Sequence, residues 1–317
     1  MITLFLNFYS FLAFILRKML EVKKVWMDGK MVNFKSANIH ILSHALHYGS
    51  AVFEGIRFYE TEKGPAVFRL KEHTDRLFYS AKVLYMKIPF SKTKINKSIA
   101  ELIKVNKLKE GYIRPIVYYG YGKMGLKPIG APVNMAIAAW PWGSYLGEGG
   151  VKVKVSKVKR IHPETTDPKA KISGIYVNSI LASMEAHKQG YDEALLLDHK
   201  GCVSEGPGEN FFYIKNGKIY TTELGTILPG ITRNSVMTFA SDLKLEVKEK
   251  RISLKDIQTA DEAFFTGTAA EVTPIIKINS KKVGKGKIGP ITKQIKNYYS
   301  DIIHGKVKKY EKWLYLV

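Results

Sequence analysis

Cysteine is almost absent: Cys202 is the only one in 317 residues. That excludes a disulfide framework and any cysteine-based zinc or iron–sulfur site, and it fits a reducing compartment, the cytoplasm. Acidic residues are also scarce, with 28 Asp and Glu against 50 Lys and Arg, a net charge of +22. Such a balance fits a nucleic-acid or membrane partner when the charge is clustered. Here the lysines are spread along the chain. Even the dense stretch from Lys277 to Lys309 is broken by Gly, Pro and Ile, without the interleaved aromatics of an RNA-binding module. We therefore read the charge as a solvated, lysine-rich surface and expect no nucleic-acid partner. A bilayer-spanning run is missing too. Ile2 to Leu16 is 15 residues, interrupted by Asn7 and Ser10, against the ~20 that cross a membrane. Arg17 and Lys18 follow the run rather than precede it, the reverse of a secretory leader. Residues 1–22 read as an extension outside the fold, of the kind a start site at Met19 or Met27 would remove. A weak membrane tether is the alternative, and no stable membrane partner is expected.

What remains is ordinary globular composition, 45% apolar and 25% charged, which excludes disordered, collagen-like and multi-span chains. Lys24–Met27 and Lys30–Phe34 flank the turn pair Asp28-Gly29 and read as a hairpin. Gly55–Tyr59 and Ala66–Arg69 read as strands around Lys63-Gly64-Pro65. Leu70, Leu77, Ala81 and Leu84 recur at helical spacing, as do Ile95, Ile99, Leu102 and Ile103. Strands are expected at Tyr112–Tyr119 and Val133–Trp140. The stretch from Trp142-Gly143 to Gly149-Gly150 reads as a linker between a small domain (23–149) and a larger one (150–317). Beyond it, Val151 to Val158 alternate with lysines as a half-exposed strand. Ile180, Leu181 and Met184 mark a helix ending at Gly190. Strands follow at Glu193–Leu197, Phe211–Ile214 and Lys218–Thr221, with helices over 231–243 and 291–302. The mixture, without strict strand–helix alternation, predicts an α+β fold rather than a doubly wound one. No internal repeat is visible.

Several segments are too polar and glycine-rich for a core, yet are not plain loops. They are Ser43-His44-Ala45-Leu46-His47-Tyr48-Gly49, Phe53-Glu54-Gly55-Ile56-Arg57 and Tyr112-Ile113-Arg114-Pro115. Later come Ser204-Glu205-Gly206-Pro207-Gly208-Glu209-Asn210, Leu228-Pro229-Gly230-Ile231-Thr232-Arg233 and Gly267-Thr268-Ala269-Ala270-Glu271. In this order and at these separations the set resembles the branched-chain amino acid aminotransferases, class IV (fold-type IV) enzymes that use pyridoxal 5′-phosphate. The resemblance runs from about Val25 to near the C-terminus. It implies two domains, a small α/β one and a larger mixed α/β one with a barrel-like sheet, with the cofactor in the cleft between them.

Pyridoxal phosphate chemistry needs a lysine amine, deprotonated to attack the cofactor aldehyde. Lys171, five residues before Tyr176, matches the family's lysine; Lys169 is the competitor. The resemblance implies Glu205 as the ring-nitrogen partner, Glu209 as a supporting acid and Tyr176 as the partner of the ring's phenolic oxygen. It assigns the phosphate to Arg76, Thr268 and the helix start at Leu228, Ile231 and Thr232, where free N–H groups receive anions.

The substrate pocket must take an apolar side chain in one half-reaction and the distal carboxylate of glutamate in the other. Phe53, Gly55, Trp142 and Tyr145 match its walls, and Met124 and Leu126 its closing loop. Arg114 and Tyr48 match the pair that reads the distal carboxylate, a task suited to a forked guanidinium. Gly267, Thr268 and Ala269 match the turn that holds the α-carboxylate, with Tyr112 as helper. Tyr48 and the Met124–Leu126 loop reach the neighbouring subunit's site in this reading, which makes a homodimer or higher homo-oligomer the active unit.

The implied reaction is ping-pong transamination of valine, leucine and isoleucine with 2-oxoglutarate, giving 2-oxo acids and glutamate without a metal. D-amino acid aminotransferase and aminodeoxychorismate lyase are rivals within the same fold. Tyr112-Ile113-Arg114-Pro115 together with Pro141-Trp142-Gly143 favours the branched-chain member. The chain departs from the family's frequent Gly-Gly-Asn run at Ser173-Gly174-Ile175, and in the length of the turn between Thr222 and Leu228.

Overall fold

The computed structural model describes residues 22–143 and 149–317. The expected extension up to residue 21 and Tyr145 lie outside the described residues. The first hairpin forms as its turn dictates. Asp28 and Gly29 take φ values of +44° and +93°, the double positive-φ geometry that favours Asp-Gly. They join β1 (Lys24–Met27) to β2 (Lys30–Asn33). A short helix, α1 (His44–Tyr48), precedes β3 (Ala51–Phe53), β4 (Ile56–Thr61) and β5 (Gly64–Phe68). Two amphipathic helices follow, α2 (Leu70–Val83) and α3 (Lys92–Val105). Next come the long antiparallel pair β6 (Gly111–Tyr119) and β7 (Val133–Trp140). Leu77, Ala81, Ile95, Ile99 and Leu102 bury the helix stripes against Trp26, Phe58 and Ile113, the packing that stabilises helices of this length.

The second half begins with β8 (Val151–Val155), α4 (Tyr176–Lys188), β9 (Glu193–Leu195), β10 (Asn210–Lys215) and β11 (Lys218–Thr222). It continues through α5 (Ile231–Phe239), β12 (Val247–Lys250), α6 (Leu254–Gln258), β13 (Glu262–Gly267) and β14 (Glu271–Ile278). It ends with β15 (Lys281–Lys282), α7 (Pro290–Ile303) and β16 (Leu314–Leu316). Among the described residues the strands make two sheets, the first antiparallel throughout and the second mixed, with parallel pairs β11·β12, β14·β8 and β8·β9. One runs β16-β5-β4-β6-β7-β1-β2 with β3 on β6; the other runs β12-β11-β10-β13-β14-β8-β9 with β15 on β14. The fold is α+β, as expected, but the barrel-like second sheet is not a closed barrel. Its edges β12 and β9 are linked only by isolated bridges from Val203 to Ile252 and Leu197. The intervening chain turns through Gly201, Gly206, Pro207 and Gly208 and cannot supply a strand to close the ring.

Two features differ from the local reading. The last strand, β16, returns to pair with β5, so the first sheet draws on both ends of the chain. A shared core of Tyr59, Phe68, Phe212, Phe264, Phe239, Ile295 and Ile302 then locks the sheets together through α5 and α7. Helix α4 forms where expected, and the residues that marked it are not its buried side. Ser179, Ala182 and Ala186 are its buried side, packed on Ala194 and Leu196, while Val177, Ile180, Leu181 and Met184 are exposed. Small residues let the helix lie close to β9, and the large apolar residues are left pointing outward.

Candidate active site

One cavity of about 260 Å³ opens between the sheets, and among the described residues Lys171 is the only lysine on its wall. Lys171 lies between β8 and α4 and is fixed from both sides. Its carbonyl accepts from the Phe53 N–H at 3.1 Å, and its own N–H donates to Ser80 Oγ at 2.8 Å. The amine Nζ donates to Tyr176 Oη at 2.7 Å and stands 5.0 Å above the Phe53 ring. The competing Lys169 is exposed and off the cavity wall.

Glu205 lines the same cavity. Its Oε1 accepts from Arg160 Nε at 2.7 Å, and its Oε2 accepts from Asn210 Nδ2 and the Leu228 N–H, both at 3.1 Å. Burial raises its pKa above the ordinary carboxyl value, with the Arg160 guanidinium and the Leu228 amide pulling the other way. The site thus holds a carboxylate in one orientation with three donors. Glu209 is nearby, its Oε2 accepting the Gly208 N–H at 3.0 Å. Burial, and then the charge of Glu193, push Glu209 up to about 8.

An anion corner forms where α2 meets the start of α5. Gly230 caps α5 without a side-chain hydrogen bond, which leaves the first-turn N–H groups of Ile231 and Thr232 for a ligand. Arg76 reaches this corner from α2, its NH1 donating to the Pro229 carbonyl at 3.1 Å. Behind it Glu54, fully buried, accepts from Arg76 Nε at 2.6 Å and NH2 at 2.9 Å, and contacts His73 Nδ1 at 2.7 Å. Burial alone would raise the Glu54 pKa, but Arg76 and His73 outweigh it and hold the carboxyl well below its usual range. For His73 burial wins, and the pKa is lowered.

The opposite end carries Arg114 and the aromatics. The Arg114 guanidinium lies 4.7 Å from the Phe53 ring centre and 5.3 Å from that of Tyr112, and NH2 donates to Tyr112 Oη at 3.3 Å. Arg114 Nε has no partner among the described residues. Gly55 is required here: a Cβ would lie 1.8 Å from Tyr112 Oη. Trp142 completes this wall, 5.4 Å from the Tyr112 ring. The loop between β13 and β14 brings Gly267, Thr268 and Ala269 to the cavity, which Leu228, Ile231 and Thr232 also line.

Three expected residues do not reach the cavity within one chain. Tyr48, Met124 and Leu126 are exposed. Conversely, Glu54, His73, Arg160 and Asn210 carry the geometry without having been singled out for a role. Arg160 had a readable signal, as one of eight arginines in a chain with 42 lysines. Glu54 and Asn210 had none beyond their motifs, and His73 had none.

The arrangement combines an amine, an oriented carboxylate, an anion corner and a partly unpaired guanidinium around one cavity. Comparisons with known proteins agree with it. Residues 51–278 match the family model described as amino-transferase class IV. The branched-chain-amino-acid aminotransferase of Pseudomonas aeruginosa is 47% identical over 297 residues, covering 92% of this chain and 97% of that protein. Its Escherichia coli counterpart is 41% identical over 298 residues, covering 92% and 96%. Among solved structures, the T.th. branched-chain amino acid aminotransferase complexed with N-(5′-phosphopyridoxyl)-L-glutamate has a TM-score of 0.91. It is 45% identical and covers 94% of this chain and 99% of that one. The chain belongs to the class IV aminotransferases, and within them to the branched-chain-amino-acid aminotransferase group.

Proposed function

We propose that the protein transfers the amino group of L-valine, L-leucine or L-isoleucine to 2-oxoglutarate, with pyridoxal 5′-phosphate as cofactor. The observation that carries this reading is the shared cavity of Lys171 and Glu205, with Arg76 and the α5 start at one end and Arg114 at the other. The residues fit the cofactor by donor chemistry. An amine meets its aldehyde, a buried carboxylate its ring nitrogen, and an arginine with a helix N-terminus its phosphate. When bound, the cofactor supplies an electron-withdrawing ring that acidifies the substrate's Cα proton.

The protein's part is positional and acid–base. The Lys171 amine takes the Cα proton and returns it, as the general base and acid of the reaction. Tyr176 Oη, 2.7 Å from that amine, holds it by a hydrogen bond between transfers. Glu205 keeps a negative charge or a shared proton at the far edge of the cavity, oriented by Arg160, Asn210 and the Leu228 amide. The backbone of Gly267, Thr268 and Ala269 binds the α-carboxylate. Phe53, Trp142 and Tyr112 surround the apolar side chain, while the free edge of Arg114 accepts the distal carboxylate of glutamate. The same pocket then serves both half-reactions.

A second copy of the chain is part of this proposal. Tyr48, Leu46, Met124, Leu126 and Ile129 are exposed. Gly49 packs so closely on Gly174 that a Cβ would lie 2.6 Å from its Cα. That contact sets the apolar loop region beside the start of α4 and its outward Val177, Ile180, Leu181 and Met184. An apolar face of this kind supports a homodimer interface, and it would bring Tyr48 and the 124–126 loop to a partner's site. The reducing compartment expected from the single cysteine supports a cytoplasmic location. Among the described residues, no helix is long and apolar enough to cross a membrane.

The test is a visible spectrum of the purified protein before and after borohydride, with mapping of the labelled peptide, beside assays with L-leucine, D-alanine and aminodeoxychorismate. Label on Lys171 and turnover of L-leucine with 2-oxoglutarate are expected. Label on Lys169, no label, or preference for either rival substrate would overturn the reading.

A further inference from the structure

Glu271 stands where a side chain fits poorly. It closes the three-residue loop Thr268–Ala270, paired across the hairpin with Gly267, and its φ of +54° is left-handed. Hairpin loops of this length place a residue in that conformation, and glycine or asparagine is the usual occupant. A glutamate is sterically disfavoured there, so its side chain has to serve something.

Its carboxylate crosses to the other sheet. Oε1 accepts from Tyr59 Oη at 2.9 Å and lies 3.5 Å from Arg57 NH1, both partners on β4. Arg57 is buried and has further work. NH1 donates to the Gly143 carbonyl and NH2 to the Trp142 carbonyl, each at 3.3 Å, while Nε has no partner among the described residues. One guanidinium therefore touches the end of the loop that carries Gly267, Thr268 and Ala269, and also the backbone that carries Trp142. Both segments line the cavity, and they are 125 or more residues apart in the chain.

We propose that Arg57 and Glu271 are positioning residues that set the distance between the α-carboxylate turn and the Trp142 wall, and so set substrate binding for both half-reactions. The proposal rests on the aminotransferase reading above. Neither residue is placed on the cavity wall, so their effect runs through the segments they hold. The fork of arginine suits the task because it satisfies two carbonyls and a carboxylate at once, which a lysine ammonium on a single stem does not.

The experiment compares cofactor-loaded wild type, Arg57→Met, Glu271→Gly and the double variant by steady-state kinetics, cofactor absorbance and thermal melting. The double variant is the decisive one. It removes the buried charge and the left-handed strain together, so it is the variant expected to fold, which the melting curve checks. It is expected to keep wild-type cofactor absorbance while KM for L-leucine and for 2-oxoglutarate each rises about tenfold, since small misplacements in a site are costly. The change in kcat is expected to stay within about threefold. It should be no worse than the worse single variant, because both cut the same tie. Arg57→Lys, which keeps the charge but not the fork, should fall between. Wild-type KM values in the double variant overturn the proposal, as do losses that merely track bound cofactor. Failure of wild type to transaminate leucine would refute the functional reading itself, a separate result from active wild type with unaltered variants.

Discussion

Removing the charge of Glu54 should weaken the cofactor-free protein and strengthen its response to the cofactor. Glu54 is fully buried and binds Arg76 through two hydrogen bonds of 2.6 and 2.9 Å. In Glu54→Gln one oxygen becomes an amide donor facing the guanidinium, and Arg76 is left buried without its counter-charge. Breaking a buried pair from one side costs about 3–5 kcal/mol, roughly 5–8 °C of melting temperature for a chain of this size. The Arg76 NH1 bond to the Pro229 carbonyl survives, so the guanidinium stays at the anion corner. A phosphate bound there becomes its only strong counter-ion, and in the variant it no longer faces the negative charge of Glu54. The stabilisation given by saturating pyridoxal phosphate should therefore be larger in Glu54→Gln than in wild type, by about 1.5–3 kcal/mol, the worth of one charged hydrogen bond. The assay is thermal unfolding of both proteins with and without cofactor. The sign with pH follows as well. The native carboxyl is held below its ordinary value of 4.5, so its stabilisation is present above that value and is lost as pH falls below it. The wild-type advantage should shrink at lower pH. Equal cofactor increments in the two proteins, or a smaller one in the variant, would refute the reasoning.

Two further outcomes can be checked directly. Burial and then Glu193 lift Glu209 to about 8 from 4.5. The native state therefore retains a proton that the unfolded chain releases, and stability falls between those pH values. Glu209→Gln copies the protonated form, so it should match wild type near pH 5 and melt several degrees higher at pH 8.5; calorimetry showing a gap independent of pH would contradict this. Gly55→Ala puts a methyl 1.8 Å from Tyr112 Oη and forces that ring off its bond to Arg114. The kcat/KM for 2-oxoglutarate should drop about tenfold or more, and the value for leucine less. Unchanged kinetics in Gly55→Ala would show that Tyr112 does not orient Arg114.

Local patterns revealed α2, α3 and the first hairpin because each has its own periodicity or turn chemistry. Strands β13 and β14 are harder to read. Phe264-Phe265 is too short a run to separate strand from helix, and Pro274 argues against a strand that proves to lie between β13 and β8. For α4 the apolar positions mark the helix but not its buried side, since Ala182 and Ala186 face inward. The ordered motifs brought Lys171, Arg76, Glu205 and Arg114 to attention, and all four line one cavity. Their supports are another matter. Glu54 meets Arg76 across 22 residues of sequence, and Arg160 meets Glu205 across 45. Each pairing exists only once sheets and helices have packed, so no local rule announces it.

One compositional signal does reach that far. The chain uses lysine for its surface charge, 42 of 50 basic residues, and keeps eight arginines. Of the seven among the described residues, six are buried or half-buried: Arg57, Arg69, Arg76, Arg114, Arg160 and Arg233. Their partners are of one kind, fixed oxygens: Glu271, Glu72, Glu54, Tyr112, Glu205 and the Thr222 carbonyl respectively. Lysine pairs such as Lys71–Asp75 and Lys63–Glu311 sit at the surface instead, where they add little to stability. The division follows from solvation. A guanidinium is weakly hydrated and shares its charge over a planar fork, so it can be buried against two or three oxygens. An ammonium is strongly hydrated and loses more on burial. In a lysine-rich chain an arginine therefore marks a place where charge enters the interior. By that rule Arg57 and Arg160 stand beside Arg76 and Arg114, and four of the six interior arginines touch the cavity or the segments that enclose it.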